Sequence, residues 1–446
     1  MPKFTLFAGA ALLAASLASP EQAWAIDLLE SYRLARSNDA DLQAARAAAD
    51  AAKEAQPMAL ASMLPNVTAS ASQFDNRLET TTKLTSRFDE YPSKSAALTL
   101  RQPLFRPALI LGYNQSKAQV RGVFKELEAA EREGIIRVAA AYFDLSQARF
   151  DVETSDAQIL ALQAQLRAAE AGFRAGTGTR TDIDDVRARL DLAQARKLQA
   201  DQRLALLQNQ LENLIGVAPD AALNLSPQAM PLELIGTQTL DDWLGKARDA
   251  NPSLAAARAR VDMAEIELKK NVASRLPTVD GVIQRVLSKS DNITNPDARY
   301  LNSQVGVQIS MPLYQGGYMA AKQRQSRAQL REAQAQVLSA ERRLASLVRE
   351  QFYSVQAGIL KVQALELAAK SADQAVLSNE KGIVAGMRSR IELLNAIQVR
   401  FETLSELNKA RVSYVLARLR LLSLAGELSE QDIATVNSWL ERGAGS

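Results

Sequence analysis

The stretch that decides the fold is FRAGTGTRTDIDDVR, residues Phe173–Arg187, which has a counterpart in IVAGMRSRIELLNAIQV at Ile383–Val399. Each is a short polar turn centred on a glycine, Gly176 or Gly386, after a long alanine-rich stretch with helical periodicity. A glycine just past a helix supplies the left-handed residue that ends it, and a serine or threonine then caps the next helix. The candidate caps are Thr179, Thr181 and Ser389. The sequence therefore predicts two helical hairpins.

The composition of the 446 residues is that of long helices, because aromatic residues make up only 5% and alanine, leucine, glutamine and arginine dominate long tracts. The net charge is +3, and basic residues alternate with acids instead of clustering, so nucleic acid is an unfavoured partner. The chain has no cysteine and no histidine, which removes thiol nucleophiles, histidine bases and the usual zinc ligands. We therefore expect no enzyme activity, no metal and no cofactor.

The first 25 residues have the pattern of a secretory signal peptide. Lys3 precedes an apolar run over Phe4–Ala18, and Ala23-Trp24-Ala25 forms a small-x-small cleavage site. The alternative, a membrane anchor, is weakened because the apolar run is shorter than the roughly 20 residues of a spanning helix. No cysteine follows the cleavage site, so we expect no lipid on a cysteine at the mature N-terminus.

The sequence contains an internal repeat, in which one unit occurs twice. The stretch Leu34–Val67 aligns with the stretch Gly245–Val279, so that Ala35 matches Ala247 at an offset of 212 (247 − 35). Further matched pairs are Leu42 with Leu254, Pro65 with Pro277, Gly176 with Gly386, and Gly216 with Gly426. The repeat predicts a first unit over residues 26–216, a linker over 217–240, a second unit over 241–426 and a tail over 427–446.

Each unit reads as a helix, two strands, a long helix, the turn and another helix. The long helix carries an apolar residue at every seventh position, which predicts coiled-coil packing. We call these positions the seven-residue stripe; they are Val138, Leu145, Val152, Ile159, Leu166 and Phe173 in the first unit, and Val348, Val355, Val362, Ala369, Val376 and Ile383 in the second. The alternative is an amphipathic helix in an ordinary core, but such helices rarely exceed about 25 residues.

Length adds a constraint on the shape of the molecule. A helix from Ala108 to Phe173 would span on the order of 100 Å, and the flanking helices, Asp27–Met63 and Thr181–Ile215, are each about half as long. Two short helices stacked end to end would therefore match one long helix. The result is a tall, thin object.

The strands have the length and alternation of membrane strands. In the second strand, Ala96, Leu98 and Leu100 alternate with small or polar residues, and each strand is about the 9 to 11 residues that cross a bilayer when tilted. A half-buried sheet in a soluble protein has the same alternation, so this pattern alone leaves that alternative open. The predicted strands are residues 65–76, 95–105, 277–288 and 301–314, with polar loops over Asp75–Pro92 and Lys289–Arg299.

Two features favour the membrane: the predicted export signal, and helices far too long for a sandwich or barrel enzyme. Four strands cannot close a membrane barrel, since open edges leave backbone groups unpaired in hydrocarbon and the smallest barrels have about eight strands. We therefore expect the chain to oligomerise.

In their order, these motifs resemble the TolC family of outer-membrane channel proteins over essentially the whole chain after residue 25. The motifs are Asn-Asp or Asn-Pro early in each unit, Leu-Pro before a strand, QPLF or MPLY after one, and the two glycine turns. The resemblance implies a fold that is mainly α with membrane β. It implies a homotrimer whose chains each give four strands to one twelve-stranded barrel, continued by a coiled-coil α-helical tunnel about 100 Å long across the periplasm.

The resemblance also implies roles at the two turns, where six hairpins of a trimer would close the tunnel. An arginine, here Arg388, would tie the second turn to Thr181 and Asp182 of the first. Family carboxylates six and nine residues after the second glycine ring the lumen; this chain has Glu392 but Asn395, which puts a strongly cation-attracting constriction in doubt. The predicted tip residues are Gly176, Thr181, Asp182, Asp185, Ile383, Gly386, Arg388, Glu392 and Asn395.

Ile383 stands where the family has an aromatic residue, and Arg180 and Arg390 weaken the cation preference further. The alternative for each charge is a solvated, capped helical hairpin.

The implied function is a passive exit duct in the cell outer membrane. It would work with an inner-membrane pump and a periplasmic adaptor in a tripartite system, exporting proteins by type I secretion or small molecules by efflux. The missing lipid site resembles the branch that serves type I secretion. The main alternative is a periplasmic coiled-coil adaptor or structural protein without a pore, although an adaptor would normally have one hairpin flanked by soluble β-domains. An enzyme is a more distant alternative, because no nucleophile, base or metal set converges.

Overall fold

The computed structural model describes residues 26–440 except 220–223, 226–229, 235, 237 and 293–294. The predicted signal peptide, part of the predicted linker and the end of the predicted tail lie outside the described residues. The chain is mainly helical with four antiparallel strands, as the sequence predicted. Its elements are α1 (Leu28–Asn38), α2 (Ala40–Lys53), α3 (Ala55–Ala61), β1 (Asn66–Thr81), β2 (Ser86–Phe105), α4 (Pro107–Arg174), α5 (Arg180–Ile215), α6 (Leu240–Ala250), α7 (Pro252–Ala273), β3 (Thr278–Asn292), β4 (Asn295–Ser310), α8 (Tyr318–Val384), α9 (Arg390–Leu424) and α10 (Glu430–Asn437).

Two very long helices, α4 and α8, determine the dimensions of the molecule. They contain 68 and 67 residues, which corresponds to about 100 Å each. Each folds back on a helix about half its length, so that α4 pairs with α5 and α8 pairs with α9. Among the described residues, the combination of length and hydropathy that a membrane-spanning helix requires occurs in no helix.

Shorter helices cover the rest of each long helix. Helix α4 packs against α2 and α3 as well as α5, and α8 packs against α6 and α7 as well as α9. At one junction Asn38 Nδ2 donates to the Ile215 carbonyl, at 2.6 Å, so the end of α1 meets the end of α5. At the other junction Asn251 Nδ2 donates to the Leu424 carbonyl at 3.1 Å, and its Oδ1 accepts from Leu254 N at 3.0 Å. These side chains satisfy backbone groups that helix ends leave without an intrahelical partner.

The single helix predicted over Asp27–Met63 is wrong, because the structure divides it into α1, α2 and α3. Asp39 is extended, with ψ of 112°, and its side chain accepts from Asp41 N to cap α2. Pro57 lies just inside α3; it lacks an N–H, and its ring clashes with the carbonyl four residues earlier in a continuous helix. The chain therefore breaks twice where the sequence period continued.

The largest apolar core lies midway along the long helices and includes the fully buried Tyr142, Trp243 and Tyr414. The Tyr414 hydroxyl lies 2.9 Å from the Pro231 carbonyl, and the Tyr142 hydroxyl donates to the Ile26 carbonyl at 3.1 Å. The start of the described chain is therefore held against the middle of α4, and the linker residue Pro231 is held against α9.

The seven-residue stripe is buried near this core and less so toward the turns. Val138 and Leu145 in α4 are 2% exposed, and Val348, Val355 and Val362 in α8 are at most 1% exposed. Phe173, the last member of the stripe in α4, departs from the prediction because it is 45% exposed in the single chain.

The four strands form one antiparallel sheet in the order β1-β2-β3-β4. The predicted polar loop over Asp75–Pro92 is wrong, because Asp75 pairs with Pro92 and the ladder continues to Thr81 and Ser86. The second predicted loop is likewise mostly hairpin, with Lys289 paired to Arg299. Polar alternation looks like a loop in sequence, but a hairpin exposed on both faces needs no apolar residue.

The last strand differs from its predicted range of 301–314. It begins at Asn295 and ends at Ser310, two residues before Pro312. A proline cannot donate to the ladder, so the strand stops before it. In β2, by contrast, the QPLF segment remains in the strand, with a register irregularity between Pro103 and Phe105.

An ion pair joins the start of α4 to the sheet. Arg106 Nε donates to Asp280 Oδ1 at 2.7 Å, and Arg106 Nη2 donates to Asp280 Oδ2, which makes the pair bidentate. The Asp280 side chain is 7% exposed. Because Arg106 precedes α4 and Asp280 lies on β3, the pair fixes the exit direction of the helix from the sheet.

We expect Arg106→Ala to lower the free energy of unfolding by about 2 kcal/mol, because Asp280 would be left buried without its partner. The loss is smaller than for a fully buried pair because Arg106 is 33% exposed. Thermal unfolding of the detergent-solubilised protein, followed by circular dichroism, measures it. Arg121→Ala is the matched control: its partner Asp262 is 2.9 Å away, both side chains are more than half exposed, and the loss should stay below about 1 kcal/mol. Equal losses in the two variants would contradict the role of the Arg106 pair.

Candidate functional site

The two glycine turns share one backbone geometry. Gly176 and Gly386 have φ of 74° and 71°, in the left-handed region that favours glycine. In the first turn Thr177 N donates to the Gly172 carbonyl at 2.9 Å and Gly176 N donates to the Phe173 carbonyl at 3.1 Å, the Schellman arrangement. The second turn has the same two bonds at 2.9 and 3.0 Å. Both long helices are therefore terminated by the same device.

The helix after each turn begins with a reciprocal cap. The Thr179 hydroxyl accepts from Asp182 N, and the Asp182 carboxylate accepts in return from Thr179 N; Ser389 and Glu392 form the same pair of bonds at α9. Thr181, predicted as a further cap, is wrong in that role, because it lies inside the first turn of α5. The backbone N–H of Thr179 lowers the pKa of Asp182, and the backbone N–H of Ser389 lowers the pKa of Glu392. The predicted tip acids Asp182 and Glu392 are thus helix caps.

The structure gives Arg388 a partner different from the predicted one. Arg388, which lies in the turn before α9, donates from Nη1 to Glu392 Oε1 in the first turn of that helix, at 2.9 Å. Asp182 accepts instead from Thr179, and the cation that acts on its pKa is Arg390. Within one chain, therefore, Arg388 and Asp182 each bond a residue that is three or four positions away in the sequence. The predicted bond between them stays a prediction for an assembly of chains.

Two other arginines join the hairpins within the chain. Arg189 on α5 donates from Nη2 to Asn395 Oδ1 at 2.8 Å and from Nη1 to Gln398 Oε1 at 3.3 Å. Arg390 on α9 donates to the Ala168 carbonyl of α4 at 3.3 Å. Asn395 thus accepts a bond from a guanidinium group of the neighbouring hairpin. Arg189 belongs to no sequence motif, so its role is visible only in the structure, where it lies opposite Asn395.

Next to the turns, apolar residues of α9 pack against both hairpins. Leu394 packs with Leu162, Val186 and Leu190 of the first hairpin, whereas Leu393 packs within the second. Ile383, predicted at the tip, is half-buried against this second cluster, and Asp185 is half-buried on α5. Around the turns themselves, several apolar side chains are exposed: Phe173, Val384, Met387 and Ile391.

Comparison with known proteins identifies the family of this architecture. The model of the outer membrane efflux protein family matches residues 31–217 and 243–427, which include both hairpins and both pairs of strands. The chain belongs to this family. It is therefore an outer-membrane exit duct for secretion or efflux, with a helical tunnel in the periplasm, and it is a channel protein and not an enzyme.

Individual relatives agree over nearly the whole chain. The chain is 31% identical to the alkaline protease secretion protein AprF of Pseudomonas aeruginosa, over 93% of this chain and 88% of the relative. It is 28% identical to the outer membrane protein TolC of Vibrio cholerae, over 98% of each chain. The crystal structure of VceC from Vibrio cholerae shares the fold at a TM-score of 0.73, with 18% identity over 90% of this chain and 96% of that one. The resemblance to the TolC family is confirmed.

The caps should make the tip sensitive to acid. Because the folded-state pKa values of Asp182 and Glu392 are lowered, their stabilisation is complete above the unfolded-state pKa and is lost as the pH falls through the lowered pKa. We expect hydrogen exchange in the first turns of α5 and α9 to quicken below the ordinary carboxyl range, after correction for intrinsic exchange rates. Asp182→Asn should quicken exchange in α5 at neutral pH and flatten its pH profile, with α9 as the internal control. Identical profiles in the variant and the wild type would refute the cap.

We expect Arg189→Ala to loosen the contact between the hairpins. Losing its two bonds should cost about 1 kcal/mol, which shifts an opening equilibrium about fivefold. Single-channel recording in planar bilayers measures this as a higher open fraction or conductance. The control is Arg174→Ala near the same tip, because among the described residues Arg174 bonds only to the Glu170 carbonyl of its own helix. If both variants conduct like the wild type, the Arg189 contact does not hold the tip closed.

Proposed function

We propose that three copies of the chain form one twelve-stranded barrel in the outer membrane. The support is the sheet itself, in which β1 and β4 are edge strands, and within the described residues each has a ladder partner on one side only. In hydrocarbon an unpaired edge leaves backbone groups without partners, so pairing β4 of one chain with β1 of the next would satisfy them. Three chains supply twelve strands, an even number above the minimum of about eight.

The two faces of the sheet support this placement. On one face, which we call the apolar face, lie Leu98 and Ile283 with Val305, Val307 and Ile309, whose exposed fractions run from 49% to 80%. The alternating positions on the other face are mostly polar; they include Ser95, Thr99, Gln284, Gln304 and Gln308. Lipid outside and water inside suit these faces.

We also propose that the two units of the chain are copies of one repeat, and that the chains meet along their helices. An exposed row on α8 supports the second point: Tyr353, Leu360 and Leu367 recur every seven residues and are 55% to 68% exposed. A seven-residue apolar row that is exposed in the single chain fits a neighbouring helix. A trimer of two-hairpin chains would place six hairpins around one axis, forming a coiled-coil tunnel.

At the tip, we propose that the two turns form the closed end of the tunnel and the docking site for a periplasmic adaptor. Residues 175–185 and 385–395 contain the turns, the caps and the exposed apolar residues Met387 and Ile391. An inner-membrane pump would supply the energy, because the chain is a channel protein and not an enzyme.

Among exported substrates, we propose proteins, by type I secretion. The observation that carries this choice is the 31% identity over 88% of AprF, a protein whose name specifies protease secretion. The second candidate, small-molecule efflux, is favoured by the description of the family that matches the chain.

Trimer formation through α8 can be tested without touching the core. We expect Leu360→Gln with Leu367→Gln to reduce the trimer fraction at least severalfold, because both side chains are two-thirds exposed in the single chain and would be buried between chains. Sizing in detergent with light scattering measures the mass. Leu360→Met with Leu367→Met is the control, since it retains apolar area. A glutamine variant that stays wholly trimeric would disprove this contact.

The exported substrate can be tested by deleting the gene in its own host. Loss of one or more proteins from the culture medium, restored by the wild-type gene, supports type I secretion. Increased sensitivity to dyes and detergents with an unchanged set of secreted proteins would instead support efflux and overturn the proposal. Complementation with the Leu360 and Leu367 glutamine variant, at matched protein level, links either phenotype to the assembled channel.

A further inference from the structure

A row of basic side chains crosses the apolar face of the sheet. Lys94 on β2 is paired with Lys289 on β3, and Lys289 is paired with Arg299 on β4. Side chains directly opposite one another on neighbouring strands point to the same face. We call these three residues the basic row.

The row places like charges directly opposite one another. Like charges in this position destabilise a sheet, and here two such pairs are adjacent. Asp297 lies 2.5 Å from Lys289 and forms an ion pair with it. Asp75 lies one row farther out on the same face, on the edge strand β1. A bound anion would lower the repulsion between the basic side chains.

The position of the row is that of a membrane surface. From Ile309 to Arg299 along β4 is ten residues, about 34 Å along the strand and about 25 Å along the membrane normal at the usual tilt. This matches the height of the apolar band of an outer-membrane barrel. The helices leave the sheet at the Ser310 end, so the basic row lies at the opposite, outer surface of the membrane.

Below the row lies a shallow depression with a floor of small side chains. Ala69, Ala71 and Ala96 form the floor, and Leu287 and Leu301 lie beside it. Arg299 and Arg285 also line it. Arg285 lies within the apolar band, where an unpaired arginine on the lipid face costs about 2–4 kcal/mol near the midplane. A long side chain that extends toward an anion at the surface avoids that cost.

We propose that the basic row binds the phosphate groups of an outer-leaflet glycolipid, with an acyl chain of the same lipid lying on the alanine floor. Lys94, Lys289 and Arg299 contact the phosphates at the surface, and Arg285 reaches them from below. In a trimer, three such sites surround the barrel. The inference rests on the proposed function, because it takes the apolar face to be the lipid face.

The test uses the full-length protein, purified in neutral detergent and titrated with lipopolysaccharide by microscale thermophoresis. The test variant is Lys94→Gln with Lys289→Gln and Arg299→Gln. The control replaces three cations off this face: Lys83→Gln in the hairpin turn, with Arg87→Gln and Arg101→Gln on the opposite face of β2. We expect binding about a hundredfold weaker in the test variant and unchanged in the control. Equal affinities in the two would overturn the proposal.

Two further arms identify the ligand on the wild-type protein alone, so a variant that fails to fold does not end the test. Lipopolysaccharide stripped of phosphate by alkaline phosphatase should bind at least about tenfold more weakly; equal binding would overturn the phosphate contact. Inorganic phosphate at millimolar concentration should not displace the lipid, since complete displacement would indicate a site for the free anion without an acyl-chain contact.

The same preparations, recorded in planar bilayers, separate two kinds of failure. If the wild type forms no channels, the proposed function fails. If it forms channels but binds intact and dephosphorylated lipid alike, this inference alone fails.

Discussion

The structure depends on covering an α-helix about 100 Å long with helices half that length. A long helix with an apolar stripe needs partners along its whole length, yet α5 and α9 each reach only part of the way. The shorter helices must therefore meet end to end, and every such junction exposes unpaired backbone groups. Asn38 and Asn251 resolve this by donating to the last carbonyls of α5 and α9. The Asn-Asp and Asn-Pro motifs are thus requirements of the stacking.

At the other end of the long helices, the helix ends again need residues that satisfy their backbone groups. These residues form the two glycine turns of the candidate site. A helix pair that turns sharply needs a left-handed residue and a cap, and both turns use glycine followed by a reciprocal cap. The acids Asp182 and Glu392 are consequently held by the backbone of their own helices. Arg189 and Arg390, which have no part in a cap, reach across between the hairpins. Contacts between the hairpins are therefore made by different residues from those that define the turns.

The sheet combines two demands on one set of strands. In the proposed barrel its backbone must be paired throughout in hydrocarbon, which a four-stranded sheet cannot achieve alone. The apolar face must also end where the lipid becomes polar, and along it the residue type changes from Leu301 and Leu287 to Arg299 and Lys289 within one row. In that proposal the change of residue type marks the membrane surface more sharply than the ends of the strands, since β1 and β2 continue as a paired hairpin well beyond it.

The sequence by itself determined the features that depend on residues close together in the chain. These are the helix periods, the glycine turns, the strand alternation and the family. The burial of Val138, Leu145 and Val348 also agrees with the seven-residue spacing. Local sequence patterns predicted the wrong secondary structure at two places, because other interactions competed with the pattern there. Asp39 and Pro57 broke a continuous helical pattern, and cross-strand pairing turned the expected loop after Asp75 into strand. Only the tertiary structure decided that Arg388 bonds Glu392, that Arg189 bonds Asn395, and that Lys94, Lys289 and Arg299 share one row. The reason is physical: a long side chain has several partners within reach, and the register between elements distant in sequence selects among them.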